Sequence, residues 1–373
     1  MSTETARAAA EPGAPDPRAS DPRAATGRTL GWGIVSTGAI ARKVTPDIAL
    51  LADARLVGVS SRTEESARAF AEEFGVGRAY GGPDGMARML ADPEVQVVYI
   101  ATPHGQHHEH ITAALEAGKH VVCEKALTIT AAQARDVVEL ADQRGLFLME
   151  GLWTRFLPIR ARIAEVLAGG EIGAPRWAQA DLGFRGPEDT GHRLWREDAG
   201  GGALLDMGCY GLHWPWLAFG EPTGFTASAI RRGSVDALTS ITAAFDDAPG
   251  GAATAQITLS LASQGPRRAV ISGQEGVLEV GSPMNRPVSF TVTDASGAVR
   301  EERVETVGRG YVYEMREATR CIQQGLTESP VMPWADSVRQ MAWLDAIREQ
   351  IGVRYPGLEK RTRTRRRVRP PGM

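Results

Sequence analysis

Lysine is scarce in this 373-residue chain. Of 42 basic residues only Lys43, Lys119, Lys125 and Lys360 are lysines, and arginine supplies the rest. Cysteine is scarcer still: Cys123, Cys209 and Cys321 are an odd number without a Cys-x-x-Cys pair. That argues against a disulfide framework or a cysteine zinc site and fits a reducing, cytoplasmic setting. No apolar run approaches the ~18 residues of a membrane span. The first 28 residues, rich in Ala, Pro and Arg, hold no apolar stretch of a secretory signal. A formal net charge of −3 offers no basic field for nucleic acid. The segment 359–369 carries seven basic residues against one acid, a block of charge that reads as a solvated tail. What is left, 43% apolar and 23% charged, is the balance of a globular protein with sizeable cores.

From residue 30 short β-rich runs alternate with helical stretches. "LGWGIVS" (30–36), "ARLVGVS" (54–60), "VQVVYIAT" (95–102), "HVVC" (120–123) and "GLFLME" (145–150) are strands. Between them lie helices, among them "TEESARAFAEEF" (63–74), capped by Thr63 with acids in its first turn. The alternation predicts a doubly wound α/β Rossmann-type parallel sheet over residues 29–150. Residues 36–41, Ser-Thr-Gly-Ala-Ile-Ala, sit where G-x-G-x-x-G/A would lie. Gly38 is the middle glycine, Ala41 a permitted third residue, and Ser36 replaces the first; Ser36, Thr37, Gly38, Ala39, Ile40 and Ala41 are the expected pyrophosphate turn. At the end of the second strand, where NAD enzymes place a carboxylate, stand Ser60, Ser61, Arg62 and Thr63. Ser61 and Arg62 suit a ribose 2′-phosphate, so NADP is expected, with NAD the alternative.

Past Glu150 the pattern changes to consecutive strand-like runs with turns between them, closed by two helices, "YEMREATRCIQQG" and "WADSVRQMAWLDAIREQI". An α+β domain with a large, open, mostly antiparallel sheet is expected over residues 151–353. Residues 1–28 and 354–373 are then a disordered extension and a basic disordered tail. Within the second domain, "GGGALLDMGCYGLH" (200–213) puts Asp206, Tyr210 and His213 along one helical face behind a glycine turn. Such a carboxylate, phenol and imidazole suit proton transfer; a core helix with a packed tyrosine accounts for the spacing equally. In "HGQHHEH" (104–110) the histidines diverge and no carboxylate set completes a site, so no metal is expected.

Taken in order, "GIVSTGAIA", "SSRT", "ATPHGQHHEH", "AGKHVVCEKAL", "MEGLWTRFLP" and "WREDAGGGALLDMGCY" resemble the Gfo/Idh/MocA oxidoreductases over about residues 30–350. The last two motifs are most similar to the branch of dimeric dihydrodiol dehydrogenase and NADP-linked aldose dehydrogenases. The resemblance implies that Lys125, the lysine of an E-K-P motif, lies beside nicotinamide and substrate hydroxyl. It makes Asp206 the lysine's partner and puts Tyr210 where inositol dehydrogenases have histidine. It sets Thr102, Pro103, His104, His107 and Glu124 at the cofactor's edge. Trp153, Arg155, Trp195, Arg196 and His213 become candidate substrate contacts. It also implies a homodimer or higher homo-oligomer formed through the C-terminal sheet. The family's proline after the lysine is Ala126 here, which predicts a differently shaped turn.

The implied activity is hydride transfer between NADP and a secondary alcohol or anomeric hydroxyl of a sugar, cyclitol or cyclic diol. Tyr210 exchanges the proton with its pKa lowered by Lys125, or Lys125 exchanges it directly. Two other readings stand beside this one: a dinucleotide-binding sensor without catalysis, and an internal redox carrier whose cofactor stays bound.

Overall fold

The computed structural model describes residues 20–359. The first domain runs β1 (Leu30–Val35), α1 (Ala39–Ala49), β2 (Ala54–Ser60), α2 (Glu64–Phe74), β3 (Arg78–Tyr80), α3 (Gly85–Ala91), β4 (Val97–Ile100), α4 (His104–Glu116), β5 (His120–Glu124), α5 (Ala131–Arg144) and β6 (Leu148–Gly151). Its six strands are all parallel in the order β3-β2-β1-β4-β5-β6. Every residue of β4 is buried, as an apolar run must be when helices cover both faces of a sheet. The helices have local causes: Thr63 and Thr130 accept the Ser66 and Gln133 amides to cap α2 and α5, and Gly75 and Gly145 end them at φ +66° and +60°. The strand order reverses between β1 and β4, opening a crevice at the carboxyl ends of the strands.

A single 3₁₀ turn (Trp153–Phe156) and α6 (Pro158–Ala168) lead into the second domain. It contains β7 (Pro175–Gly183), α7 (Ala203–Phe219), β8 (Gly224–Arg232), β9 (Val235–Phe245), β10 (Ala253–Ser260), β11 (Ala269–Gly273), β12 (Gly276–Val280), β13 (Ser289–Asp294), β14 (Val299–Arg303), α8 (Val312–Gln323) and α9 (Trp334–Gln350). The eight strands form one sheet, β14-β13-β12-β11-β7-β10-β9-β8, antiparallel except for the β7–β10 pair. In β10, Ala255, Ile257 and Leu259 point inward while Thr254, Gln256 and Thr258 face out, the period-2 pattern of a sheet with one open face. Helix α7 covers the inner face and is buried along nearly its whole length. Gly208 and Gly211 let it approach closely: a Cβ on either would come within 2.5 Å of Leu344 Cδ2 or 2.6 Å of Ile257 Cγ2.

The two domains share side chains. Asp47, on α1, accepts the amides of Arg309, Tyr311 and Val312 at 2.8–3.1 Å and so caps the start of α8. Parts of both stretches expected to be disordered make defined contacts. Within the stretch expected to be a disordered extension, Pro22 and Thr26 are held by Arg316, which also pairs with buried Asp53, and Gln323 takes the Arg28 carbonyl. Within the expected tail, Tyr355 and Leu358 are buried. The rest of both termini, including nearly all of the basic block, lies outside the described residues. No helix among the described residues is long and apolar enough to cross a membrane.

Candidate active site

Lys125 follows β5 at the carboxyl edge of the parallel sheet. The Lys125–Ala126 peptide is cis. Three buried side chains hold the main chain there. His104 Nε2 lies 3.1 Å from the Lys125 carbonyl and His107 Nδ1 2.9 Å from that of Ala126. The Leu127 amide donates to Glu150 Oε1 at 3.0 Å. The second nitrogens of His104 and His107 meet the carbonyls of Gly200 (3.0 Å) and Thr102 (2.8 Å). Burial pushes both imidazoles down, to about 3 and about 4, and a neutral ring donates to only one of its two carbonyls. Their ring nitrogens, expected at the cofactor's edge, are thus committed to the lysine turn. Thr102, half-buried beside Pro103, contacts His110 Nδ1 through its hydroxyl at 3.1 Å.

The lysine reaches across to α7. Its Nζ donates to the Asp206 carbonyl at 2.7 Å, stands 3.9 Å from Asp206 Oδ1, and lies 5.0 Å over the Tyr210 ring. Burial alone would raise the Asp206 carboxyl; Lys125 and then Arg193 outweigh it and hold the group at about 2. Both terminal nitrogens of Arg193 are 3.4 Å from Oδ1. Arg193, three positions before Arg196, is a member of this cluster that no motif in the sequence marks. Arg196 is exposed and paired with Asp198.

Tyr210 is anchored by its oxygen. The Trp153 indole N–H donates to it at 2.9 Å, and Trp153 stacks on Tyr311 with ring centroids 4.1 Å apart. Burial, then the neighbouring Cys209 and Glu124, push the phenol well above its ordinary range. The Lys125 ammonium, 5.0 Å over the ring, does not reverse that shift. Glu124 turns inward and accepts the Tyr99 hydroxyl at 2.6 Å.

Of the candidate substrate contacts only Trp153 joins this cluster. Arg155 is buried in an ion pair with Asp336 (2.7 Å) and lies over Trp216. Trp195 donates to the Pro187 carbonyl at 2.6 Å under the guanidinium of Arg232. His213, two turns along α7 from Asp206, is buried against Trp214 with Arg160 and Arg155 as its charged neighbours.

On the other side of the crevice the 36–41 turn takes its expected place. Ser36 adopts φ +104°, the left-handed region that glycine normally fills, and its hydroxyl accepts the Gly38 amide at 3.1 Å. Gly38 and Ala39 are exposed, Ile40 is half-buried and Ala41 is buried. The first turn of α1 has no acidic residue and no side-chain cap, so its amides suit an anion. Thr37 and Ser61 hydroxyls meet at 3.2 Å, with Arg62 exposed beside them. These residues fit a dinucleotide carrying an additional phosphate.

The chain matches two family models in tandem: the Gfo/Idh/MocA oxidoreductase family, NAD-binding Rossmann fold, over residues 30–152, and the Gfo/Idh/MocA C-terminal domain over residues 161–279. It is 34% identical to the D-xylose 1-dehydrogenase (NADP(+)) of Hypocrea jecorina over 370 residues, 88% of this chain and 94% of the relative. It is also 34% identical to the trans-1,2-dihydrobenzene-1,2-diol dehydrogenase of Mus musculus, covering 88% and 98% of the two chains. Among solved structures, the aldose-aldose oxidoreductase from Caulobacter crescentus complexed with glycerol superposes with a TM-score of 0.78 at 26% identity, over 87% of this chain and 97% of that one.

Proposed function

The chain belongs to the Gfo/Idh/MocA oxidoreductase family, and on that premise we propose that it is an NADP-dependent dehydrogenase of sugar or cyclic-diol hydroxyls. The observation that carries the proposal is the convergence of Lys125 with Asp206 and Tyr210 at the sheet edge that also presents the uncapped start of α1. Relatives sharing a third of the sequence act on xylose and on a dihydrodiol, by name.

The 36–41 turn and α1 would hold the pyrophosphate, and Ser61 with Arg62 the 2′-phosphate. Bound there, the nicotinamide accepts or returns the hydride. The protein's share is the proton. Tyr210, kept protonated by burial and fixed by Trp153, donates a hydrogen bond that orients the substrate oxygen. Lys125 exchanges the hydroxyl proton, since an amine can gain and lose one where an arginine stays charged. The Asp206 carbonyl aims Nζ and its carboxylate balances the ammonium. Lys125, entering as the neutral amine, would take the hydroxyl proton, become the ammonium that Asp206 balances and return the proton to solvent, while the hydride would go to the nicotinamide.

A panel of aldoses, cyclitols and cyclic diols assayed with NADP by nicotinamide absorbance tests this. Turnover of at least one class is expected; nucleotide binding without turnover of any would favour a sensor. Self-association through the exposed Thr and Gln face of β8–β10 accompanies the proposal, with a homodimer in light scattering as its expected result. A cytoplasmic setting is in keeping with three buried, free cysteines.

A further inference from the structure

Behind Glu124 lies a carboxyl that this chemistry does not use. Glu314, in the first turn of α8, is fully buried, and neither of its oxygens has a hydrogen-bond partner among the described residues. A Cβ built on Gly151 would lie 3.6 Å from Glu314 Oε2 and 3.7 Å from Glu124 Cα. The Glu314 carboxyl therefore reaches the strand end that carries Lys125.

Its neighbours are few and mostly acidic. From α1 comes Asp47, whose oxygens are filled by three amides. From β5 comes Glu124, bonded to Tyr99 of β4 and offset by Lys125. Tyr311 precedes α8 and is stacked on Trp153. Arg155, on the 3₁₀ turn packed against α8, is committed to Asp336. Glu314 thus has two like charges near it and no donor of its own. An isolated carboxylate in such a place costs more than holding a proton, so the group is neutral.

We propose that Glu314, buried and unpartnered at this strand end, responds to the charge of the nicotinamide cofactor: it releases its proton when the oxidised, cationic form binds and keeps it with the reduced, neutral ring. The inference rests on the NADP reading above. One proton leaves to solvent on binding and no electron moves; once the ring charge is gone Glu314 takes a proton back.

Calorimetric titration of the full-length protein at neutral pH, in two buffers of different ionisation enthalpy, measures this directly. Close to one proton is expected to be released with NADP+ and close to none with NADPH. Glu314→Gln, which keeps the side chain's shape, should abolish the difference, and Lys125→Met should retain it. Undiminished release from Glu314→Gln, or loss only in Lys125→Met, would overturn the proposal. A pH series on the unaltered protein gives a second, variant-free measurement. The NADP+ dissociation constant should fall by up to about tenfold for each unit the pH rises below the Glu314 titration, while that of NADPH stays level. Parallel curves would also overturn it. Failure of either nucleotide to bind would strike the dinucleotide reading, and this one with it.

Discussion

The two ends of β5 are flanked by two lysines with opposite fates, Lys119 buried and Lys125 half-buried. At the amino end, Lys119 Nζ donates to the carbonyls of Asp92 and Val95 at 2.9 and 2.7 Å, and burial lowers its pKa. At the carboxyl end, Lys125 has one carbonyl at 2.7 Å, a carboxylate at 3.9 Å and an aromatic face. Lys119 spends two of its three hydrogens on the turn it closes. Lys125 keeps ammonium hydrogens that no short contact takes up. The same residue type, six positions apart, is a structural bolt at one end and a reagent at the other. The polarity of a parallel sheet, which opens its crevice only at the carboxyl edge, is what separates them.

The sharpest way to break this contrast is Lys125→Ala. Turnover should fall on the order of 10³-fold, as for loss of a proton-transfer group, with the NADP dissociation constant changed only a few-fold; near-normal rates would sink the assignment. Next comes Glu150, which anchors the Leu127 amide just past the lysine and whose carboxyl burial raises to about 7. Between about pH 4.5 and 7 the folded protein holds a proton there that the unfolded chain has lost. Stability should therefore decline as pH rises across that window, by about 3 kcal/mol at most. Denaturant titrations of Glu150→Gln should show that decline flattened. Lys119→Met, at the other end, leaves two carbonyls without their donor and should cost about 2 kcal/mol of unfolding free energy, with turnover per folded molecule unchanged. Smallest is Tyr210→Phe: the loss of one orienting hydrogen bond predicts a drop of roughly ten- to a hundredfold in turnover. A drop equal to that of Lys125→Ala would make the phenol the proton carrier instead.

Much of this was legible in sequence because it is local. The strand–helix alternation, the 36–41 turn and the strand-end lysine each follow from residues within one element and its neighbours. Asp206 and Tyr210 were found because one helical turn separates them. What escaped depends on contacts across the fold. Arg155 stands two residues from Trp153, yet the 3₁₀ turn sends it to Asp336 on α9. Arg193 is one exposed arginine among many until α7 brings Asp206 beneath it. Glu314 is 190 positions from Glu124 in a helix whose outward chemistry is unremarked by any motif. The ordered stretch from residue 20 was hidden by a Pro- and Arg-rich composition, because its anchor, Arg316, lies on α8. His213 shows the converse: a shared helical face is not a shared site when two turns intervene.

Residues 353–359 carry one more consequence. Tyr355 donates to the Gly201 carbonyl ahead of α7, Gln133 of α5 donates to the Leu358 carbonyl at 2.6 Å, and Glu359 pairs with Arg348 of α9 at 3.1 Å. One short segment thus ties a helix of the first domain to the glycine turn and the last helix of the second. A hinge motion that widens the crevice must pivot about this splice or tear it. Cutting the chain before Tyr355 would free the Gly201 carbonyl and unpin the start of α7, the helix that aims the lysine.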